Sequence, residues 1–300
     1  MLLPKVARQF LEAWLTSGFL ALVDWSTLAV QKVSGLDETL KERREDVVYR
    51  IKASGKPVHF YLLLEHQTRP DRRMALRCLE YALVLWRGEA KTKPLALVVP
   101  IVVHPGPGAW PSPMRLRELI EVPSEIADWA GKFIPDAGYL LAELTGHPME
   151  NLASGSLGRA VMAALQAERR GKLGYRQVKK IVETLYAEGN SPEATCLSRQ
   201  LWTYLLAHSE LKDPEIEAIV ESTIPQRQRK TFMSTAQRLR QEGRLEGRQG
   251  AIIQLLEIRH KRIPAGLRED VVAVSDERHL ARLLLAAAQS NSLEKFAEKL

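Results

Sequence analysis

The sequence is poor in cysteine and has no long apolar run, and these absences exclude several classes of protein. Its two cysteines, Cys78 and Cys196, are too few for a disulfide scaffold and form no Cys/His cluster at zinc-ligand spacing. The longest apolar stretch, residues 95–103, is far shorter than the ~18 residues that a membrane-spanning helix needs. The N-terminus has no charged segment followed by an apolar run and a small-residue cleavage site. We therefore expect a cytoplasmic protein that does not bind membranes.

Length and charge are consistent with a multidomain protein that has a polyanionic partner. The chain has 300 residues, whereas one domain typically has ~100–200, so we expect more than one domain. Its formal net charge of +7 fits DNA, because clustered Lys and Arg release counterions when they neutralise phosphates. Many soluble proteins are mildly basic, however, so the charge alone does not decide the partner.

Residues 46–67 are predicted to form a β-hairpin. Residues 46–52 alternate and are rich in β-branched side chains, residues 53–57 have a turn composition, and residues 58–67 form a mostly apolar strand with a polar end. If the chain turns between Gly55 and Lys56, Asp46 lies directly opposite Glu65. The hairpin then brings two carboxylates together on one face.

The elements around this hairpin predict an α/β core. Apolar residues at helical spacing indicate an opening helix within residues 6–22, and Asp71 is a plausible cap for a helix that follows the hairpin. Residues 95–103 are apolar on both faces, as in a central buried strand, and a short helix at 114–120 and another strand at 139–144 follow. The predicted buried stripe of the post-hairpin helix comprises Met74, Cys78, Tyr81, Ala82, Leu85 and Trp86. The six tryptophans are scattered singly and are predicted to pack: Trp14, Trp25, Trp86, Trp110, Trp129 and Trp202.

The second half of the chain is predicted to be all-α. Helical patterns occur at residues 157–166, 176–187, 193–208 and 214–222, and a final helical module at 252–260 and 277–300. Residues 238–250 repeat Glu-Gly-Arg at a spacing of four within the most basic part of the chain. This stretch either adds DNA affinity or forms a salt-bridged helix that packs on a partner. A homo-oligomer through the C-terminal helices is one such arrangement. We divide the chain into an α/β domain (1–148), a helical region (149–225), a basic glycine-punctuated helix (226–250) and a C-terminal helical module (251–300).

The paired carboxylates are the main candidate for chemistry. Directly opposed strand residues have Cβ atoms ~4.5–5.5 Å apart, where like charges repel unless a cation neutralises them. Mg²⁺ suits Asp46 and Glu65, since it takes oxygen ligands and is usually held by one or two carboxylates with water and phosphate. Gln67 lies on the same face and can orient a water through its amide carbonyl. The alternative is that Glu65 ends a strand at the solvent edge while Asp46 pairs with a nearby arginine.

Arginines on the helix after the hairpin are candidates for DNA contacts. Arg73 and Arg77 are four residues apart with Arg72 adjacent, so they can hold phosphates, with Arg77 as the preferred residue. A solvated helix face is the alternative for each of them. His66 is predicted to point away from Glu65 and to pack, whereas His59 is predicted to share the face of the carboxylates at a distance of several residues. His104 is assigned to the loop after the buried strand, with a position lining the cleft as the alternative.

Several blocks of this half of the chain resemble a known family. Asp46, the strand-ending run Glu65-His66-Gln67 and the following Arg-rich helix resemble the PD-(D/E)XK phosphodiesterase core. The blocks at residues 42–51, 61–67, 74–81 and 99–106 look, in order and spacing, like the Rpn family of recombination-promoting nucleases, which includes transposase-like proteins.

The resemblance implies a fold and an activity. The fold is a restriction-endonuclease-like core, a mixed sheet flanked by helices, within residues 1–148, followed by the all-α region. The activity is a Mg²⁺-dependent DNA endonuclease that promotes recombination or belongs to a mobile element, with Asp46 and Glu65 as metal ligands. Gln67 stands where the wider superfamily has lysine, and Glu38 or Glu42 is a weaker further ligand. A non-catalytic DNA-binding or assembly protein with a decayed site, or a helical interaction protein, remain as alternatives.

Overall fold

The computed structural model describes residues 3–31, 47–64, 71–89, 94–106, 108–169, 171–187, 189 and 191–300. The chain folds into two compact units, Met1–Leu211 and Lys212–Leu300. The four-part division proposed from the sequence stays a prediction.

The first unit contains a mixed five-stranded sheet in the order β1-β2-β3-β4-β5. The pairs β1–β2 and β2–β3 are antiparallel, whereas the pairs β3–β4 and β4–β5 are parallel. This confirms the predicted α/β fold class. The strands are β1 Val23–Gln31, β2 Val47–Ala53, β3 Lys56–Leu64, β4 Leu97–His104 and β5 Leu140–Glu143.

The β2–β3 hairpin closes through a two-residue turn at Ser54 and Gly55. Both residues have positive φ, 49° and 75°, which matches the turn type that follows the right-handed twist of two antiparallel strands. Glycine adopts this conformation freely, whereas Ser54 adopts it at a cost. The turn therefore lies one residue earlier than the sequence analysis placed it.

Helix α3 (Met74–Glu89) covers one face of the sheet. The side chain of Asp71 accepts a hydrogen bond from the backbone N–H of Arg73 at 2.8 Å, just before the helix begins. The predicted stripe is confirmed, because its members pack with Val48, Val98 and Val102 of the sheet. Trp86 lies at the margin of this core, where its indole N–H donates to the carbonyl of Ala96 at 2.8 Å.

The helices between residues 156 and 207 agree with the predicted helical second half, and the other helices of the first unit precede it. The opening helix is divided into two, because the chain is extended at Leu15 and Thr16. In the first of these helices the buried Gln9 accepts a hydrogen bond from the N–H of Gly158 at 2.7 Å, which ties the N-terminus to the helical region. Besides α3, these helices are α1 Pro4–Trp14, α2 Ser17–Leu20, α4 Ala127–Ala130, α5 Ser156–Glu168, α6 Tyr175–Leu185 and α7 Pro192–Ala207.

The second unit is helical and is organised along α9, a helix of 35 residues. The basic Glu-Gly-Arg repeat lies inside this helix, and Arg238 pairs with Glu242 one turn later at 2.7 Å. The C-terminal part of α9 contributes Ile252 and Leu256 to a core that includes Phe296. Among the described residues, no helix is long and apolar enough to cross a membrane. The helices are α8 Asp213–Thr223, α9 Gln226–His260, α10 Ala265–Ala273, α11 Glu277–Gln289 and α12 Leu293–Ala297.

Candidate active site

The predicted site lies where β2 begins and β3 ends. Asp46 immediately precedes Val47, the first residue of β2, and Glu65 immediately follows Leu64, the last residue of β3. Consecutive Cα atoms are ~3.8 Å apart, so the chain itself keeps both residues close to these strand ends. Asp46, Glu65 and Gln67 lie outside the described residues, as do Glu38, Glu42 and His66.

The observed register of the hairpin differs from the predicted one, on which the expected direct opposition of Asp46 and Glu65 depended. Val47 pairs with Leu62, whereas the predicted register would have paired it with Leu64. The physical reason is the position of the turn, because moving its centre by one residue shifts every cross-strand partner by two. Side chains alternate along a strand with a period of two, so this shift keeps the same set of residues on each face.

The parallel strands end at the same edge of the sheet, next to the predicted site. Leu64 of β3 pairs with Val103 of β4, and His104 of β4 pairs with Glu143 of β5. His104 is only 4% exposed, and its ring meets Trp110 edge to face with the centroids 4.9 Å apart. The imidazole of His104 is therefore a fixed part of the end of β4, next to the end of β3 at Leu64.

The electrostatics of this edge favour a neutral His104. Burial lowers the pKa of the imidazole, and the nearby Arg169 lowers it further, although the carboxylate of Glu143 acts in the opposite direction. A second buried group, the Tyr139 hydroxyl, accepts a hydrogen bond from the Trp110 indole at 2.7 Å and donates one to the carbonyl of Pro113 at 3.0 Å. Burial raises the pKa of Tyr139 to about 12, so both groups are uncharged near neutral pH.

Sequence analysis underestimated His104. The apolar run was expected to end at Val103 and His104 was assigned to the following loop, but β4 includes it as its last residue. A polar residue that directly follows a strand buried on both faces was the signal for a position at the carboxyl edge. His59, by contrast, is buried within β3.

The three candidate arginines differ in their surroundings. Arg72 and Arg73 are exposed in the turn before α3, so Arg73 is not itself inside the helix. Arg77 is half-buried in the first turn of α3, and its guanidinium carbon lies 5.9 Å from the ring centroid of Tyr81. Arg72 and Arg73 are therefore more accessible to a phosphate than Arg77, which was the preferred candidate.

The described residues hold no group of three His, Cys, Asp or Glu side chains that could bind a metal ion. The two cysteines, Cys78 and Cys196, are both free, with the first buried in the sheet–helix core and the second exposed. Asp46 and Glu65 lie outside the residues searched, so their role as metal ligands stays a prediction.

Comparison with known proteins places the chain in a family. Residues 1–195 match the family described as "Putative transposase, YhgA-like". The recombination-promoting nuclease RpnC of Escherichia coli K12 is 35% identical over 114 residues, which cover 37% of this chain and 38% of RpnC. The recombination-promoting nuclease RpnD of E. coli O157:H7 is 26% identical over 241 residues, 79% of this chain and 89% of RpnD.

A third relative has a name that bears on activity. The inactive recombination-promoting nuclease-like protein RpnE of E. coli K12 is 27% identical over 282 residues, 92% of this chain and 91% of RpnE. No solved structure matches the chain significantly. The family match spans well over half of the chain, so the chain belongs to the YhgA-like transposase family, in agreement with the predicted resemblance to the Rpn recombination-promoting nucleases.

Proposed function

We propose that this protein is a Mg²⁺-dependent DNA endonuclease that promotes recombination. The proposal rests on the β2–β3 hairpin together with the family to which the chain belongs. Val47 and Leu64 are the neighbours in sequence of Asp46 and Glu65. They lie on the adjacent strands β2 and β3, where they are offset from direct pairing by two residues. The names of RpnC and RpnD support the activity class, and the closeness of Val47 and Leu64 in the sheet supports a site formed by the two carboxylates.

The corrected register still suits a shared cation. If β2 and β3 each continue by one residue, Asp46 and Glu65 become diagonal neighbours on one face instead of opposed residues. Diagonal positions are ~7–8 Å apart, a separation that two carboxylate side chains can bridge by pointing toward a common ion. Without a bound cation, the two carboxylates then repel each other less than directly opposed carboxylates would.

The residues fit Mg²⁺ by their chemistry. Asp46 and Glu65 would supply two carboxylates, and Mg²⁺ usually completes such a set with water and substrate phosphate. The bound ion would generate the attacking hydroxide and stabilise the departing oxygen of the phosphodiester. Gln67 would orient the water through its amide carbonyl, and the neutral imidazole of His104 would hold the strand end without adding a competing positive charge.

Exposed cations beside the site support DNA as the substrate. Arg72 and Arg73 lie in the turn that leads from the end of β3 into α3, and both are solvent-exposed. Phosphate contacts of this kind position a duplex without reading its sequence. We therefore propose cleavage with little or no sequence specificity.

The similarity to RpnE favours a second candidate function. This similarity covers nearly the whole chain, and RpnE is named an inactive nuclease-like protein. Gln67 offers a neutral dipole where a lysine would offer a positive charge for the transition state. The second candidate is therefore a DNA-binding protein of the same fold that does not cleave.

The deciding experiment is incubation of the purified protein with supercoiled plasmid in Mg²⁺, in Ca²⁺ and in EDTA. The nuclease proposal expects nicking in Mg²⁺ that EDTA abolishes. Retention of the plasmid in a gel-shift assay without nicking in any of the three conditions would favour the second candidate. Nicking that persists in EDTA would contradict a metal-dependent mechanism.

A further inference from the structure

The loop between β4 and β5 exposes an apolar surface beside carboxylates, and it does not belong to the candidate active site. Residues 120–136 leave the sheet–helix core and return to it at a closed base. At that base Arg115 and Gly138 form an isolated antiparallel bridge, and the N–H of Leu116 donates to the carbonyl of Ala137 at 2.8 Å. We call residues 120–136 the apolar–acidic loop.

The base of the apolar–acidic loop is firmly attached. The guanidinium of Arg115 donates to both carboxylate oxygens of Asp136 at 2.8 and 3.0 Å. Leu116 and Tyr139, on either side of the base, are buried in the core that α3 forms with the sheet. The shape of the loop is thus fixed at its ends by packing and by a two-point ion pair.

The tip of the loop presents large apolar side chains to solvent. Trp129 is 63% exposed and Phe133 is 68% exposed, and their ring centroids lie 4.9 Å apart. This overturns the predicted packing of Trp129. Ile126 is also exposed, and the consecutive helical turns over residues 124–133 place Ile126, Trp129 and Phe133 at the spacing of one helix face.

Acidic residues lie next to these apolar residues in the sequence. Glu125 and Asp128 each precede an apolar member of the face by one residue, and Glu121 lies just before these turns. All three are exposed, and within the described part of the chain no ion pair includes them. Lys132 is the one cation in this loop sequence, so the exposed surface is acidic although the whole chain carries +7.

The negative charge of the loop determines which kinds of partner fit its surface. Three carboxylates repel the phosphates of DNA and of anionic lipids, so neither fits this surface. A symmetric dimer through the same face would set these carboxylates against their own copies. An aromatic pair with acidic neighbours complements an amphipathic helix whose polar face carries Lys or Arg.

We propose that the apolar–acidic loop is a docking surface for a partner protein that presents a cationic amphipathic helix. Trp129 and Phe133 bind the apolar face of that helix, while Glu125 and Asp128 pair with its cations. The proposal does not depend on nuclease activity. It adds a protein partner to a molecule whose candidate active site we propose to bind DNA.

The test is calorimetric titration of the full-length protein with three synthetic peptides of about 18 residues, long enough to form a helix. The first is an amphipathic helix of leucine and lysine, the second has the same composition in scrambled order, and the third replaces lysine by glutamate. We expect the first to bind at least about tenfold more tightly than the other two. Equal binding of the first and second peptides, or no binding of the first, overturns the proposal.

Matched variants assign the binding to the loop. The double variant Trp129→Ser/Phe133→Ser should weaken binding of the leucine–lysine peptide about tenfold or more, and Glu125→Lys/Asp128→Lys should reverse the preference toward the glutamate peptide. The control Ile258→Ser/Leu285→Ser removes side chains that are 72% and 64% exposed on the second unit, and it should bind as the wild type does. Equal losses in the control overturn the assignment to this loop.

Two further measurements address the other occupants. Sedimentation of the wild type and of Trp129→Ser/Phe133→Ser over a range of concentrations should give the same mass. A dimer that only the wild type forms would show that a second copy of the chain binds this surface, and it would overturn the proposal. Co-sedimentation with phosphatidylglycerol vesicles should not depend on Trp129 and Phe133. A dependence on these residues would make a membrane the occupant and equally overturn it.

Discussion

His104 at the end of β4 pairs with Glu143 at the end of β5, so a buried imidazole and a carboxylate residue lie side by side at one edge of the sheet. The same edge is where β3 leads into Glu65. The strand ends are therefore linked by packing as well as by backbone hydrogen bonds, since the His104 ring also contacts Trp110. This edge of the sheet therefore matters both for the stability of the fold and for the candidate active site.

The first prediction concerns the pH dependence of stability at His104. Burial lowers the pKa of His104 in the folded protein, whereas the unfolded chain binds a proton near the ordinary value of ~6.5. Below that value the unfolded state binds more protons, so the free energy of unfolding falls as the pH is lowered toward the folded pKa. The upper limit of this slope is ~1.4 kcal/mol per pH unit for one group.

Denaturant unfolding at several pH values in EDTA measures this slope. His104→Gln should reduce it, because glutamine does not titrate, while the exposed His147 replaced by Gln serves as the control. A slope that is the same in wild type and His104→Gln would show that the protonation of His104 does not limit acid stability.

The second prediction concerns the hairpin turn. Ser54 and Gly55 both have positive φ, which asparagine and glycine adopt more readily than other residues. Ser54→Asn should raise the free energy of unfolding by ~0.5 kcal/mol, and Gly55→Ala should lower it by ~1 kcal/mol. Thermal or urea unfolding checks both values.

The control for the turn is Gly18→Ala, at a helical glycine where an added Cβ meets nothing within 4 Å. This variant should not lose stability, since alanine favours a helix. If Gly55→Ala is as stable as Gly18→Ala, the turn does not lie at Ser54 and Gly55 and the corrected register loses its cause.

Sequence analysis predicted best those features that depend on local periodicity. The buried stripe of α3 and helices such as α7 repeat their apolar residues every three or four positions, a signal that needs no knowledge of the rest of the chain. The hairpin was recognised, but its register was not. Both Ser54-Gly55 and Gly55-Lys56 are compatible with a turn, and only the backbone dihedrals decide between them.

The missed features depend on tertiary context. Strand β1 has no fully buried residue, and its alternation of half-buried and exposed residues is interrupted where the register shifts between Asp24 and Ala29, so it lacks the regular pattern that identifies a strand. Trp129 was predicted to pack because most tryptophans do, whereas its loop leaves the core. The significance of His104 could not be predicted because it depends on the parallel pairing of β4 with β5.

The third prediction separates the arginines by their surroundings. Arg72→Ala and Arg73→Ala remove exposed cations and should each reduce the salt dependence of DNA binding by ~1 in slope without changing stability. Arg77→Ala should lower the free energy of unfolding by ~0.5–1 kcal/mol, because the guanidinium lies over the Tyr81 ring. Fluorescence anisotropy at several salt concentrations, together with urea unfolding, separates the two effects.

Arg87→Ala, at the exposed C-terminal end of α3, is the control for a general loss of charge. An equal change of slope in Arg87→Ala and Arg73→Ala would mean that the turn before α3 has no special contact with DNA.

The fourth prediction concerns the two carboxylates. Asp46→Asn and Glu65→Gln keep the size of each side chain and remove its charge, so Mg²⁺ would lose an anionic ligand. Plasmid nicking should fall below detection in both variants, while gel-shift binding of DNA in EDTA stays within about twofold of wild type. The exposed carboxylate Glu80 on α3, changed to Gln, should leave nicking unchanged. Wild-type nicking in either site variant would remove that residue from the metal site.

The fifth prediction concerns Gln67, which we propose orients the attacking water with a neutral amide. If its carbonyl orients the attacking water, Gln67→Ala should lower the cleavage rate with little change in DNA affinity, because the lost interaction belongs mainly to the transition state. Gln67→Lys adds a positive charge beside the developing negative charge of the phosphate and should raise the rate, provided that the ammonium does not displace Mg²⁺.

Single-turnover cleavage with saturating enzyme isolates the chemical step for these variants. A Mg²⁺ titration of Gln67→Lys tests displacement of the ion, since a competing ammonium would raise the concentration of Mg²⁺ needed for half-maximal rate. Gln67→Glu is the matched comparison, because it keeps the shape of the side chain and adds a negative charge that should hold the ion more tightly while disfavouring phosphate. An alanine variant that cleaves as fast as wild type would leave Gln67 as a polar residue at the end of a strand.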